Sequence, residues 1–314
     1  MASEANSPWR ERVRRALGWP ARRLLDPRAR WIAGLVTEQV DQRVDQRAEE
    51  LGRRVEGLKP KLSPLRIEAL IGTSGRPEHI SEELARFLNW TESHEGYAAQ
   101  AGLWFNPAVP VAYRTGGVDV RLVNERIVEQ PFVFGALQSL PPSARLLDVG
   151  GSESTLALSF ATLGYEVTVV DPRGYPLTHP ALRSVSSSLD QLDADDDGYD
   201  AAIALSSVEH FGLGPYGTSL TDQRLDVDAL VELRRRVRPG GLLILTVPLG
   251  EPAIDHFERV YDKRGLDELL GGWRLVTASA AWRTDGVTWI AGELERPLSE
   301  RGVALVVASN GDPA

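Results

Sequence analysis

The chain of 314 residues contains no cysteine, which excludes disulfides, thiolate nucleophiles and cysteine-ligated zinc. It also lacks any apolar run near the roughly 20 residues needed to span a bilayer. The longest candidate, 242-LLILTVPLG-250, is short and reads as a buried strand. The N-terminus is polar, without the apolar core and cleavage site of a secretory signal, so a cytoplasmic protein is the default expectation. Positive charge is in deficit as well: a net charge of −9 argues against a general nucleic-acid binder. The histidines at His79, His94, His179, His210 and His256 are scattered, none forms an H-x-x-x-H pair, and the single H-x-E, His256-Phe257-Glu258, has no second histidine near it in sequence. The acidic run Asp193, Asp195, Asp196, Asp197 lacks the calcium-loop spacing and reads as a solvated turn, so no metal is expected.

What is present divides the chain into three parts: 1–60, a basic then amphipathic extension; 61–140, a helix-and-loop cap; and 141–314, the main domain. An apolar content of 42% and a charged content of 25% are ordinary globular values, and the length suits one large α/β domain with an accessory segment. Residues 1–35 carry Arg10, Arg12, Arg14, Arg15, Arg22, Arg23, Arg28 and Arg30, interleaved with Trp9, Trp19 and Trp31. Trp9, Val13, Ala16 and Leu17 share one helical face. The composition fits either an interfacial helix making peripheral contact with anionic lipid or a basic tail. Over 31–58, Val44, Ala48, Leu51, Val55 and Leu58 alternate spacings of four and three. That is a coiled-coil seam that would support a homo-oligomer, or equally one amphipathic helix packed on the main domain.

In the cap, 81-SEELARFLNW-90 predicts a helix, 104-WFNPAVPVAYRTGGVDV-120 reads as loop, and 124-NERIVEQPFVFGAL-137 predicts a helix interrupted or started near Pro131. There are no internal repeats. From 144 onward strands and helices alternate, as a parallel sheet wrapped by helices requires. The strands fall at Arg145–Val149, Glu166–Val170, Leu182–Ser186, Asp200–Leu205 and Leu242–Val247, with helices over Thr155–Leu163 and Asp226–Val237. Pro239-Gly240-Gly241 makes the turn before the fifth strand. A late pair, Trp273–Ala280 and Val303–Ser309, completes a Rossmann-like, doubly wound, mostly parallel sheet of seven strands.

The chemistry concentrates where strands end. Asp148 ends the first strand, Gly150 and Gly151 follow it, and Asp171 ends the second. An acid about 20 residues after the glycines is placed to bind ribose hydroxyls. A dinucleotide pyrophosphate, however, demands G-x-G-x-x-G so that it can approach the backbone. Here the spacing is D-x-G-x-S-x-S, with Ser152 where the second glycine is needed, the third glycine absent, and no Tyr-x-x-x-Lys pair, so a nicotinamide enzyme is disfavoured. S-adenosyl-L-methionine carries no phosphate. Its adenosine, sulfonium and amino-acid end suit a loop with serine hydroxyls and backbone amides. Ser152 is equally an N-cap for the following helix.

The segments 146-LLDVGGSES-154, 163-LGYEVTVVDPRGYPLTHPALR-183, 199-YDAAIALSSVEHFGLGPYG-217 and 238-RPGGLLILTVPLG-250 resemble class I S-adenosylmethionine-dependent methyltransferases. The run 209-EHFGLGPYG-217 looks like a less characterised branch found in bacterial polysaccharide and secondary-metabolite loci. The resemblance covers about residues 120–310. It implies that the Asp148–Gly150 loop binds the methionine part and Asp171 the ribose. Ser188 stands where relatives place an adenine-binding acid, and Asp190, two residues on, is the substitute candidate. The resemblance also places Glu129 and Gln130 over the cofactor, and Glu209 and His210 near the methyl donor.

Methyl transfer to oxygen profits from a base that takes the acceptor's proton, and a histidine can do so near neutral pH. His210 is thus the candidate base, or a loop brace, with Glu209 beside it. Gly212, Gly214, Gly217 and Tyr216 suggest a loop able to close over substrate, or merely a turn. His256, Arg259 and Tyr261 follow the fifth strand, where acceptor-binding residues are common in this fold. Arg259 suits an acceptor carboxylate or phosphate, or a structural ion pair. The expectation is a methyltransferase acting on a small-molecule or glycan acceptor; the rival is a non-catalytic cofactor-binding module for assembly or membrane recruitment.

Overall fold

The computed structural model describes residues 77–120, 122–193, 198–214, 224–295 and 301–311. The basic stretch 1–35, the seam at 31–58, most of the Asp193–Asp197 run and Tyr216 lie outside the described residues. All described residues belong to the unit Thr73–Ala314.

Apolar residues alternate along the strands, and the alternation sorts the core into two faces. Leu147, Ala202, Ala204, Leu243 and Leu245 pack with one group of helices. Their chain neighbours Leu146, Ala201, Ile203 and Ile244 pack with another. A period of two with both faces apolar is what a sheet covered on both sides requires.

The elements run as follows. The cap contributes α1 (Glu82–Thr91), α2 (Tyr97–Gln100), a hairpin of β1 (Val111–Arg114) and β2 (Gly117–Val120), and α3 (Arg126–Leu137). The main sheet follows with β3 (Arg145–Val149), α4 (Leu156–Thr162), β4 (Glu166–Val170), β5 (Leu182–Val185), β6 (Tyr199–Leu205), α5 (Leu225–Arg236) and β7 (Val237–Leu249). A short arm, β8 (Ala253–Ile254) and β9 (Arg259–Val260), leads to α6 (Lys263–Leu269), β10 (Arg274–Arg283), β11 (Trp289–Gly292) and β12 (Gly302–Ser309).

The central sheet has eight strands in the order β11-β10-β12-β7-β6-β3-β4-β5. From β7 to β5 every neighbour pair is parallel, and the three pairs from β7 to β11 are antiparallel. Helices α3 and α4 cover one face, α5 and α6 the other. The fold is therefore doubly wound, mostly parallel α/β, with one strand more than the seven expected. The extra strand exists because β10 runs on to Arg283 and folds back. Asp285 Oδ1 accepts the amides of Val287 and Thr288 at 2.7 Å each, which makes the turn, and Trp289–Gly292 then pairs with Ala280–Arg283. Inside this corner the Trp282 ring is fully buried. Gly302 and Gly292 leave room for it, since a Cβ on Gly302 would lie 2.7 Å from the ring.

Three local expectations differ. The stretch read as loop contains the β1–β2 hairpin, closed by Gly116 at φ 71° and held by Asn89, whose side chain bonds both the amide and the carbonyl of Tyr113 at 2.8 Å. Helix α3 starts at Arg126 and continues through Pro131. Just before the N-cap Glu125, Asn124 Oδ1 accepts the Arg126 amide at 2.8 Å. Pro239-Gly240-Gly241 lies within β7, as a bulge between the Tyr199–Val237 and Ala201–Leu242 pairs, with Gly240 at φ 78°.

One carboxylate ties α3 to the sheet. Glu129 is fully buried. Its Oε1 accepts the hydroxyls of Ser206 at 2.5 Å and Thr246 at 2.7 Å, while Oε2 pairs with Arg126 at 2.5 Å. Replacing Glu129 by Ala leaves the Arg126 cation buried without its partner. We expect Glu129→Ala to cost about 3–5 kcal/mol of stability in urea unfolding, and Glu129→Gln, which keeps acceptor and shape, distinctly less.

Candidate functional site

The chain passes from β3 to β4 on one side of the sheet and from β5 back to β6 on the other. The crevice beyond the carboxyl ends of β3 and β6 is the switch point at which such sheets bind ligands. Its floor follows from two glycines. Gly150 has φ 75° and donates to Val170 O at 2.9 Å, and a Cβ there would lie 2.7 Å from the Ser207 Cβ. A Cβ on Gly151 would lie 2.5 Å from Asp148 Oδ2. Both positions thus hold the loop down on the strand ends, where a side chain would not fit.

Asp148 is buried, and its Oδ2 has no hydrogen-bond partner among the described residues. Burial, reinforced by the nearby Asp171, pushes its carboxyl up to about 7, against the opposing Arg126 charge. Ser207 Oγ and Glu209 Oε2 are likewise buried without partners. Burial holds the Glu209 carboxyl well above the usual glutamate range, with Glu129 and Glu258 adding to it and Arg126 opposing. Among the described residues the buried groups left unpaired here are Asp148 Oδ2, Glu209 Oε2, Ser207 Oγ and one donor, Arg126 Nε. The unpaired Asp148 oxygen suits a ligand that brings positive charge and N–H donors.

Asp171, at the end of β4, accepts the Ser152 amide at 3.2 Å and is gripped by Arg173. The N-cap of the helix after the loop is Thr155, and the hydroxyl of Ser154 just before it accepts the Leu156 amide at 3.2 Å; Ser152 contributes its amide to Asp171 instead. Ser188 precedes a single 3-10 turn, and Asp190 on that turn is exposed. Neither is brought to the glycine loop by any contact described.

On the β6 side, Ser206 adopts φ 39°, an uncommon conformation for a side-chain-bearing residue. Its amide and hydroxyl are fixed by Thr246 and Glu129. The following turn carries Glu209 and His210. His210 Nδ1 lies 2.6 Å from Phe257 O. A carbonyl can only accept, so Nδ1 bears the proton and Nε2 is the basic nitrogen. Nε2 is 3.8 Å from Glu209 Oε1. Burial lowers the His210 pKa, which keeps the ring neutral.

Arg259 and Tyr261 are buried beneath this turn. Arg259 Nη1 donates to the carbonyls of Glu209 at 3.1 Å and Phe211 at 2.7 Å, and Nε lies 3.7 Å from Asp226. The Tyr261 hydroxyl donates to Asp226 at 3.0 Å, and burial together with Asp226 raises its pKa. The geometry makes both of them braces of the Glu209–Phe211 turn. His256 is exposed on the β8–β9 arm. Asp226, Arg126, Ser207, Thr246 and Arg173 belong to the site and were not read from the sequence. Only Arg173, two residues beyond Asp171, and the Arg126–Glu129 spacing of three gave a local signal. No group of residues able to hold a metal ion occurs among the described residues.

Residues 187–296 match a family model described as Caenorhabditis protein of unknown function, DUF268. No curated protein matches the chain. Solved structures similar to it include the Burkholderia thailandensis 1,6-didemethyltoxoflavin-N1-methyltransferase with bound 1,6-didemethyltoxoflavin and S-adenosylhomocysteine. That similarity has 18% identity and a TM-score of 0.42, over 60% of this chain and 80% of that one. The N-methyltransferase NodS from Bradyrhizobium japonicum WM9, in complex with S-adenosylhomocysteine, is similar at 12% identity and a TM-score of 0.42, over 60% and 88%. The [4+2]-cyclase SpnF is similar at 15% identity and a TM-score of 0.43, over 67% and 86%.

A buried carboxyl that titrates near neutrality destabilises the fold as it ionises. The Asp148 pKa rises from its ordinary range to about 7 on folding, so the cost is absent at low pH, grows as pH rises and is complete above 7. Asp148→Asn should therefore be more stable than the unsubstituted protein by about 1–3 kcal/mol at pH ~8, with the difference vanishing towards pH ~4, in ligand-free urea unfolding at each pH.

Proposed function

We propose that the crevice binds S-adenosyl-L-methionine and that the protein transfers its methyl group to a hydroxyl of a small-molecule or glycan acceptor. The observation that carries the reading is the buried Asp148 Oδ2 left without a partner under the glycine loop. An α-ammonium group is the donor that completes it, and its positive charge is what a carboxyl with a pKa near neutrality favours. The residues fit the cofactor in kind. Asp148 and the Gly150–Ser152 loop hold the amino-acid end, and Asp171 serves the ribose. Ser188 and Asp190 are the candidates for the adenine edge.

When bound, the cofactor supplies an electrophilic methyl group on a sulfonium. The protein's part is alignment, exclusion of water and management of one proton. His210 is the base. Its Nδ1–H is spent on Phe257 O, so Nε2 takes the acceptor's proton as the oxygen is methylated. Burial keeps His210 unprotonated to lower pH than an exposed histidine, which extends the working range on the acid side. Burial raises the carboxyl of Glu209 beside it well above the usual glutamate range, which disfavours a negative charge that would hold a proton on the ring. Arg259, through the carbonyls of Glu209 and Phe211, fixes the turn that aims both side chains. Tyr216 and His256 are the remaining candidates for the acceptor side.

Two measurements test this. S-adenosylhomocysteine, titrated calorimetrically, should bind where NAD does not. Its affinity should fall about tenfold per pH unit below about 7, because Asp148 must ionise to pair with the ammonium. Binding independent of pH between about 5 and 8 would remove Asp148 from the ammonium site. On an acceptor identified with methyl-labelled cofactor, His210→Ala should lower turnover by about 10²–10⁴ while leaving S-adenosylhomocysteine affinity unchanged. Near-normal turnover in that variant would end the general-base assignment.

A further inference from the structure

The Asp171 carboxylate is saturated. An ionised carboxylate offers about four acceptor sites, and four donors occupy it. Oδ1 accepts the Arg173 amide at 2.9 Å and Arg173 Nε at 3.2 Å. Oδ2 accepts Arg173 Nη2 at 3.1 Å and the Ser152 amide at 3.2 Å. A ribose diol brings two O–H donors and finds no acceptor site open. Two of the four donors are backbone amides, fixed by the loops that carry them. The other two belong to the guanidinium, one on each oxygen.

We propose that Arg173 is a latch on the ribose position: its guanidinium occupies Asp171 in the free protein and must be displaced, two N–H donors for two O–H donors, when a nucleoside binds. The inference rests on the assignment of Asp171 to the ribose under the proposed function. Three features make the exchange easy. Arg173 Nη1 already bridges to Glu153 Oε1 at 2.5 Å, so the cation keeps a partner when it leaves Asp171. Its side chain is 33% exposed, so solvent can take up the freed donors. The turn itself does not need the guanidinium. The Arg173 amide on Asp171 Oδ1 and the Gly174 amide on Asp171 O at 2.8 Å already close it. The Tyr175 hydroxyl ties the same loop to Ser154 O at 2.9 Å.

A latch lowers apparent affinity by the fraction of time it is open, and the loss falls on ligands that use the ribose hydroxyls. Arg173→Met, which keeps length and removes the donors, should therefore bind S-adenosylhomocysteine about five- to tenfold more tightly than the unsubstituted protein. The 2′-deoxy analogue of S-adenosylhomocysteine should gain less, so that the preference for ribose over deoxyribose widens. In an Asp171→Asn background, where the guanidinium has no charge to grip, Arg173→Met should change affinity little. Titration calorimetry gives the affinities, and melting curves in the absence of ligand confirm that each variant is folded. If the unsubstituted protein binds S-adenosylhomocysteine and folded Arg173→Met binds it no more tightly, the latch is overturned and the cofactor assignment stands. If neither protein binds it, the cofactor assignment fails and the latch falls with it.

Discussion

A single buried carboxylate, Glu129, sets the geometry on which the crevice depends. It lies one turn into α3 and reaches the carboxyl ends of two adjacent strands through Ser206 and Thr246. Removing a carboxylate from water costs several kcal/mol unless it is paired and bonded, and here Arg126 and two hydroxyls supply that. The result is directional. Ser206 holds its unusual φ of 39° because its amide is fixed by Thr246 of the neighbouring strand and its hydroxyl by Glu129 of α3. That bend turns the chain so that Ser207 meets Gly150 and the next residues overhang the crevice. The helix preceding the first strand of the parallel sheet thus determines where the residues after β6 point.

The same crevice carries the least comfortable electrostatics of the described residues. Asp148 and Glu209 are buried with an oxygen each unpaired, and both carboxyls are pushed up by burial and by neighbouring acids. A fold optimised for stability alone would put apolar groups or complete hydrogen-bond partners there. Such unpaid desolvation clusters where a ligand completes the structure. Arg173 shows the opposite arrangement at the end of the neighbouring strand β4, with Asp171 fully provided for. One carboxylate waits for a cation while the next already holds one. On the proposed reading, ligand binding at this edge completes Asp148 and exchanges partners at Asp171.

How far the sequence revealed this follows from the range of the interactions. The parallel strands are legible because each is a short apolar run between turn signals, and Arg145–Val149 and Glu166–Val170 appear with the ends read from the sequence. Asp148, Gly150 and Asp171 are legible because a strand, a glycine turn and an acid at fixed spacing are local features. Strand β11 is not, since a four-residue edge strand is defined by its partner β10 rather than by its own pattern. Helix α3 hides behind Pro131, and only the Asn124 side chain on the Arg126 amide and the grip of Glu129 explain why it starts five residues earlier. Arg259 and Tyr261 carry the residue types of an acceptor site. What assigns them to bracing is Asp226, some thirty residues away in α5, and no local pattern announces that pairing.

That pairing decides how the candidate base is held. A histidine is useful as a base only if one nitrogen is committed and the other is aimed. The commitment comes from Phe257 O on the β8–β9 arm, and the ring edge of Phe257 packs against the imidazole at 4.7 Å between centroids. The aim comes from the turn beneath, which Arg259 pins from the same arm through the Glu209 and Phe211 carbonyls. Asp226 and Tyr261 hold Arg259 in turn. Phe257 and Arg259 are two residues apart, so the segment that orients the ring also fixes the backbone bearing it.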